Sequence, residues 1–508
     1  MEDTFEKRMQ ILQELEKNAQ HKQHLKGKLT ARERLNVLFD DGTFEEMARF
    51  NSPQTGPSVK NDVYGDGVIV GQGLIQGRSV FAFAQDFTVQ GGSLGRIHGE
   101  KIAKIQEMAL KLGSPVVGLL DSGGARIQEG VESLSAYARI FRNNVRSSGI
   151  IPQISVILGP AAGGAVYSPA LTDFIFMTNK TSFMFLTGPD VVKEVLNEDV
   201  TFESLGGGEV HAEKSGVAGF LYDDEEHAIL AVRKLLSYLP SNNYESLPVV
   251  RNFESYQSKQ EMLNKMVPED SNQAYDIKGV IEILMDKDSF FEVHENFAKN
   301  IVVGLARLEG KTIGVVANQP KVLAGTLDID ASIKGARFVR FCDSFNIPLL
   351  VLEDVPGFLP GVGQEHGGVI RHGAKLLYAF CDATVPKVTV ILRKSYGGAY
   401  IVMNSKNTGG DFNLAWPTAA IAVMGPEGAV KIVNRRELAD AEDPEALKAE
   451  LVKKYREETA NPFIAEEKGL IDEVIHPSQT REKLVRAFQI LSTKQLHGPS
   501  RKHGNIPL

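Results

Sequence analysis

The chain is poor in several things. Its 508 residues include two cysteines, Cys342 and Cys381. That is too few for a disulfide framework or a four-cysteine zinc site, and the pair reads as reduced core residues of a cytosolic protein. Positive charge is in deficit: 56 Lys and Arg against 64 Asp and Glu give a net charge of −8, which argues against nucleic acid as a partner. No apolar run reaches membrane-spanning length. The start, Met1-Glu2-Asp3, is acidic and lacks an apolar stretch, so it is no signal peptide. These absences point to the cytosol, or to a matrix-like compartment if a transit peptide has been removed. No His/Cys/Asp cluster has metal-ligand spacing, so no metal is expected, and no G-x-S-x-G elbow occurs. Gly310-Lys311-Thr312 looks like the end of a P-loop, but Gly304 stands one residue too far upstream and the flanks are strand-like. Gly71-Gln72-Gly73 with Gly77 is one residue off a dinucleotide fingerprint and leads into a strand, not a helix.

What is present is ordinary in bulk and unusual in pattern. A hydrophobic content of 43% and a charged content of 24% suit a globular protein, and the length demands two or more cores. The stretch around which the chain is organised is Gly159-Pro160-Ala161-Ala162-Gly163-Gly164-Ala165-Val166-Tyr167. It follows the β-branched run Ile154 to Leu158 and precedes a segment able to open a helix. Adjacent glycines at a strand-to-helix turn let a ligand approach the backbone and aim free N–H groups at it, which is the chemistry of an oxyanion hole. A tight packing turn would also need glycine. The same turn recurs, however, at Arg393-Lys394-Ser395-Tyr396-Gly397-Gly398-Ala399-Tyr400, after Val388 to Leu392.

The recurrence belongs to a longer repeat. Gly71 and Gly77 match Gly304 and Gly310; Val89, Gly92 and Leu94 match Val322, Gly325 and Leu327; Lys101 matches Lys334, Pro115 matches Pro348 and Asp121 matches Asp354, all at an offset of 233. Pro152, Gly163, Gly164 and Ala165 match Pro386, Gly397, Gly398 and Ala399 at 234, and Gly188-Pro189 matches Gly425-Pro426 at 237. Two copies of one fold are expected. Each alternates apolar strands (Val80–Ala84, Val116–Leu120 and Ile154–Leu158; Ile313–Ala317, Leu349–Leu352 and Val388–Leu392) with helical stretches, an α/β pattern with a largely parallel sheet. The expected limits are an N-terminal helical extension at 1–29, a first domain at 30–240, a linker at 241–274 and a second domain at 275–508. Phe5, Met9, Leu12 and Leu15 give the extension helical spacing, and Thr30-Ala31-Arg32-Glu33 is a capping box for a helix through Phe39. Residues 51–66 read as a loop, and 434–458 as one charge-dense helix with a solvated face.

No obvious side-chain base accompanies either turn. Asp121, Glu129, Asp354 and Glu365 are candidates, with turn and helix-cap roles the simpler alternative; His366 and His372 have ordinary polar roles as theirs. The missing base suggests one supplied by a cofactor. Two holes at one centre suit proton abstraction beside a thioester on one side and a leaving anion on the other.

Three stretches carry a resemblance: Asp121-Ser122-Gly123-Gly124-Ala125-Arg126-Ile127-Gln128-Glu129-Gly130, Gly159 to Ala170, and Asp354-Val355-Pro356-Gly357-Phe358-Leu359-Pro360-Gly361. Together they resemble the carboxyltransferase β subunits of propionyl-CoA carboxylase and related acyl-CoA carboxylases, and the likeness runs over nearly the whole chain. The resemblance implies two tandem crotonase (ClpP-like) domains and a hexamer, with the site between the N-domain of one subunit and the C-domain of another. It implies carboxybiotin carried on a separate biotinylated chain, or on a carrier protein with its biotin carboxylase; no Met-Lys-Met tripeptide is present here to carry it. By motif match the N–H groups of Gly163 and Gly164 hold the acyl-CoA enolate oxygen, and those of Gly398 and Ala399 hold the biotin oxygen. Each such donor is worth about 2.7–4 kcal/mol of barrier. The segment Asp286 to Gln319 corresponds to acyl-CoA contact, and Ile401 to a position that sets acyl length. Ile rather than Asp at 401 departs from the propionyl-preferring pattern and implies that acetyl-CoA is accepted as well. Three readings compete. One is the α subunit of methylmalonyl-CoA decarboxylase, with indirect membrane association; another is a biotin-independent hydratase or isomerase; the last is a non-catalytic scaffold.

Overall fold

The computed structural model describes residues 2–52, 64–496 and 498–507. Of the loop expected at 51–66, residues 53–63 lie outside the described residues. The chain forms two compact units, Met1–Ser246 and Leu247–Leu508.

In the first unit a helix covers Glu2–His24. The next, Ala31–Leu38, begins with the expected capping box: the Thr30 side chain accepts from the Glu33 N–H, and Glu33 accepts from the Thr30 N–H. The sheet comprises β1 (Glu45–Met47), β2 (Val68–Ile75), β3 (Arg78–Gln85), β4 (Val116–Ser122), β5 (Gln153–Ala162), β6 (Phe174–Thr178), β7 (Phe183–Phe185) and β8 (Phe220–Tyr222). Its order is β1-β2-β3-β4-β5-β6-β8, with β7 pairing with the far end of β5. The β1, β2 and β3 pairings are antiparallel and the rest are parallel. Every residue of β4 is buried, as expected of a strand covered on both faces. Val70, Phe81, Ile102, Leu120, Ile157 and Met177 belong to its core.

The second unit repeats this plan. It has β9 (Phe291–Val293), β10 (Ile301–Leu308), β11 (Lys311–Asn318), β12 (Leu349–Val355), β13 (Lys387–Tyr396), β14 (Phe412–Ala415), β15 (Ala420–Ala422) and β16 (Glu473–Val474). The order is β9-β10-β11-β12-β13-β14-β16, with β15 on the end of β13. The duplication read from glycines and prolines is therefore a duplication of topology. Gly310 lies in the two-residue turn between β10 and β11, where Glu309 and Gly310 have φ of 53° and 72°. The matching turn, Gln76-Gly77, has 51° and 74°. Positive φ at both central residues is what a tight hairpin requires, so Gly310-Lys311-Thr312 is a hairpin corner and not a phosphate loop.

Two expectations are corrected. Residues 434–458 form two helices, Arg435–Asp440 and Pro444–Glu458. Pro444 has no N–H to continue a ladder and starts the second helix, with the Asp443 side chain capping it by accepting the Ala446 N–H at 3.0 Å. Neither helix buries a residue. Of the cysteines, Cys342 is buried but Cys381 is exposed; both are free thiols. Among the described residues, no helix is long and apolar enough to cross a membrane.

Candidate active site

Each glycine turn follows the longest strand of its sheet, β5 in the first and β13 in the second. Ala162 closes β5 in extended conformation, Gly163 turns with φ of 60°, and a short helical segment runs from there through Ala170. Tyr396 closes β13, Gly397 turns with φ of 61°, and the helix Gly397–Val402 follows. A side chain at either position would be strained by that φ. The first N–H groups of a helix have no carbonyl within it to bond, and Gly163, Gly164, Gly398 and Ala399 all occupy such positions. The register mates of Gly163 and Gly164 are Gly397 and Gly398, so the two assigned donor pairs are one residue out of step. Around Gly398 a Cβ would meet nothing within 4 Å, whereas at Gly164 it would meet the Tyr137 ring at 3.5 Å.

Beneath each turn lies a buried aspartate, and the two are neutralised differently. Asp121 accepts from Lys28 Nζ at 2.6 Å and Arg34 Nη2 at 3.0 Å, and Arg34 also binds Glu225 at 2.8 Å. A Cβ at Gly159 would overlap Asp121 Oδ1 and press on Lys28 Nζ, so glycine there makes room for a lysine arriving from elsewhere. Asp354 instead accepts from Arg393 Nε at 3.0 Å and from the backbone N–H of Lys394 at 3.1 Å, both on β13 itself. Burial lowers the pKa of Lys28 and of Lys394, each against the pull of its aspartate. Asp354 thereby ties β12 to β13 three residues before the second turn, and in the first copy Arg34, held by Asp121, donates to the Leu158 carbonyl of β5 at 3.3 Å. Glu129 caps the helix Arg96–Leu112 by accepting the Arg96 N–H at 2.6 Å and pairs with Arg126 at 2.7 Å. Glu365 is on the helix Val362–Gly367, which also carries His366; His372 is on the next, Val369–Asp382. Among the described residues, no group of three His, Cys, Asp or Glu could hold a metal ion.

The segment Asp286 to Gln319 comprises β9, β10 and β11, the antiparallel side of the second sheet. Its ends are tied down: Asp286 pairs with Arg481 at 2.6 Å, and Gln319 donates to Asp276 at 2.8 Å. Ile401 lies one residue before the end of the helix Gly397–Val402 with 46% of its surface exposed. Beside the second turn is a cavity of about 370 Å³ lined by Pro356, Arg393, Lys394, Tyr396 and Gly425 among others. Sequence reasoning missed Lys28, Arg34, Glu225, Arg393 and Glu353. Comparing the two copies position by position, rather than only where they agree, would have found the last two.

The carboxyl transferase domain model matches residues 22–506. The chain is 56% identical over 488 residues to a propionyl-CoA carboxylase carboxyltransferase subunit of Haloferax mediterranei, covering 96% of this chain and 95% of that one. It is 53% identical over 489 residues to the methylmalonyl-CoA decarboxylase subunit alpha of Propionigenium modestum, with coverage of 96% and 95%. Among solved structures, Transcarboxylase 12S, a hexamer crystallised with methylmalonyl-coenzyme A, superposes with a TM-score of 0.94 at 48% identity, covering 100% of this chain and 98% of that one. The fold is thus the expected pair of crotonase (ClpP-like) domains. A match across nearly the full length, over a scaffold whose two strand-to-helix turns are built alike, makes this chain a member of the carboxyl transferase domain family and an enzyme of carboxyl transfer.

Proposed function

We propose that the chain is the carboxyltransferase subunit that moves CO2 from carboxybiotin on a partner protein to the α-carbon of a short-chain acyl-CoA. Propionyl-CoA would give methylmalonyl-CoA, and acetyl-CoA would give malonyl-CoA. The observation that carries this is the pair of turns with matched φ, 60° at Gly163 and 61° at Gly397, because a transfer between two carbonyl compounds needs two sets of oxyanion donors. The Gly163 and Gly164 N–H groups hold the thioester oxygen as it gains charge. The Gly398 and Ala399 N–H groups hold the ureido oxygen. The second turn suits that group: it offers backbone N–H groups of a helix start, open space over Gly398 and a cavity alongside. When bound, carboxybiotin supplies the CO2 and the base that the side chains of this protein do not.

The working limits are those expected: an extension at 1–29, a first catalytic domain at 30–240, a linker at 241–274 and a second domain at 275–508. The active form is a hexamer in the cytoplasm, bound to a biotinylated chain or carrier protein with its biotin carboxylase. Exposed Ile127, Val131, Leu186, Ile370 and Val423 supply apolar surface for assembly.

The test is a pull-down from the native source followed by an avidin blot, with acyl-CoA carboxylation assayed in the captured complex. A biotinylated partner and avidin-sensitive, ATP-dependent carboxylation are expected. Capture of a membrane decarboxylase instead would make the chain a decarboxylase subunit running the transfer in reverse. Avidin-insensitive turnover of an acyl-CoA would point to a hydratase or isomerase.

A further inference from the structure

The two copies share one bulged strand pairing under the glycine turn. In the first unit the register between β4 and β5 shifts between Leu120 and Ser122; in the second it shifts between β12 and β13 at the equivalent Glu353 and Val355. The first copy fills this place with Leu120, Ala161 and Val166. The second fills it with Glu353, Ser395 and Tyr400, at offsets of 233, 234 and 234. Glu353 is wholly buried, and Ser395 Oγ donates to its Oε1 at 2.7 Å. Its Oε2 and the Tyr400 hydroxyl are buried without hydrogen-bond partners among the described residues. Burial pushes the Glu353 carboxyl well above the ordinary range against the Ser395 bond, with Asp354 adding to the rise. Burial also raises Tyr400, and the nearby Glu353 contributes. The first copy proves that this bulge, turn and helix form around apolar side chains. Folding therefore does not require the polar trio, and burying it is unfavourable without a compensating use.

We infer that Glu353, acting through Ser395 and facing Tyr400, is a positioning residue of the second turn alone, tuning its donors for a ligand different from the one the first turn holds. Ser395 is two residues before Gly397 on β13, and Tyr400 is on the first turn of the helix that follows. The Glu353 carboxyl thus braces the strand end through Ser395, while its free oxygen and the Tyr400 hydroxyl at the helix start remain unpartnered among the described residues. The inference rests on the reading that the second turn serves the carboxybiotin side and the first serves acyl-CoA.

The experiment gives the second copy two of the three residues of the first, Glu353→Leu with Ser395→Ala, beside the isostere Glu353→Gln, each assembled with the native biotinylated partner. Activity of the wild-type complex checks the underlying reading, and its absence overturns that reading rather than this inference. The double variant is expected to fold with an unchanged melting temperature and unchanged KM for propionyl-CoA, while kcat falls about 10- to 100-fold, the scale of a small misplacement of reacting groups. E353Q, which keeps the Ser395 hydrogen bond, is expected to stay within about 3-fold of wild type. Four results overturn the inference: wild-type kcat in the double variant, a rise in its KM for acyl-CoA in place of the kcat loss, failure of the double variant to fold, or an E353Q loss as large as that of the double variant.

Discussion

At the scale of single residues, the proposed role of Ile401 in acyl-chain selection can be tested directly. Acetyl and propionyl groups differ by one methylene, worth about 0.8 kcal/mol of transfer energy, so an apolar wall can discriminate only weakly. The wild-type complex is expected to carboxylate acetyl-CoA as well as propionyl-CoA, and Ile401→Asp to shift the kcat/KM ratio toward propionyl-CoA. Comparison of kcat/KM for acetyl-, propionyl- and butyryl-CoA checks both; an unmoved ratio removes residue 401 from substrate selection. Proline at Gly164 or at Ala399 deletes one N–H donor and restricts φ. Each variant is expected to lose at least about 10²-fold in transfer rate, and a folded variant with normal rate would remove that position from the hole. Asp121→Asn keeps the shape of the knot and removes its charge, leaving buried Lys28 with no anion in contact. The expected loss is about 3 kcal/mol of unfolding free energy, the low end for breaking a buried pair, measured by urea denaturation at neutral pH.

At the scale of elements, the helices Arg96–Leu112 and Ile329–Ser344 each carry a buried lysine, Lys101 and Lys334, matched by the repeat. Lys334 Nζ donates to the carbonyls of His294, Phe297, Ala298 and Ile301, fastening the helix to the loop before β10 and to the first residue of that strand. Burial lowers its pKa from 10.5 to about 7. Between those two values the unfolded chain holds a proton that the folded chain has released, so this group makes stability rise with pH across that window. Lys334→Met is expected to cut the slope of unfolding free energy against pH by up to about 1.4 kcal/mol per pH unit, read from denaturant melts across the window. The strands, the turns and the duplication were legible in sequence because they obey local rules: apolar runs, paired glycines, a constant offset. The ionic knot was not. Lys28 and Arg34 stand 93 and 87 residues from Asp121, and no periodicity connects charges so far apart. Glu353 was overlooked for another cause, since one acid at the end of the run Leu349–Leu352 looks like a strand terminus until the fold closes over it. The single helix expected over 434–458 failed at Pro444, where charge density outweighed a clear start signal.

At the scale of the whole molecule, the chain carries two glycine turns proposed to hold oxyanions, but its sequence shows neither a biotin attachment tripeptide nor a P-loop. Alone it is expected to form an oligomer with no carboxylation of propionyl-CoA from ATP and bicarbonate. Light scattering and a labelled-bicarbonate assay check the two halves of that statement, and activity of the isolated chain would contradict it.

The unequal origin of the two sets of countercharges bears on how the copies could be parted. Arg393 and Lys394 sit on the same strand as the turn they steady, so the second copy carries its electrostatic support wherever β13 goes. The first copy borrows its support from residues upstream of its sheet. A shortened chain beginning after Arg34 would keep every strand of the first copy, yet would leave buried Asp121 without Lys28 and Arg34, the two cations it bonds. The second half is portable in a way the first is not, although the two share a topology.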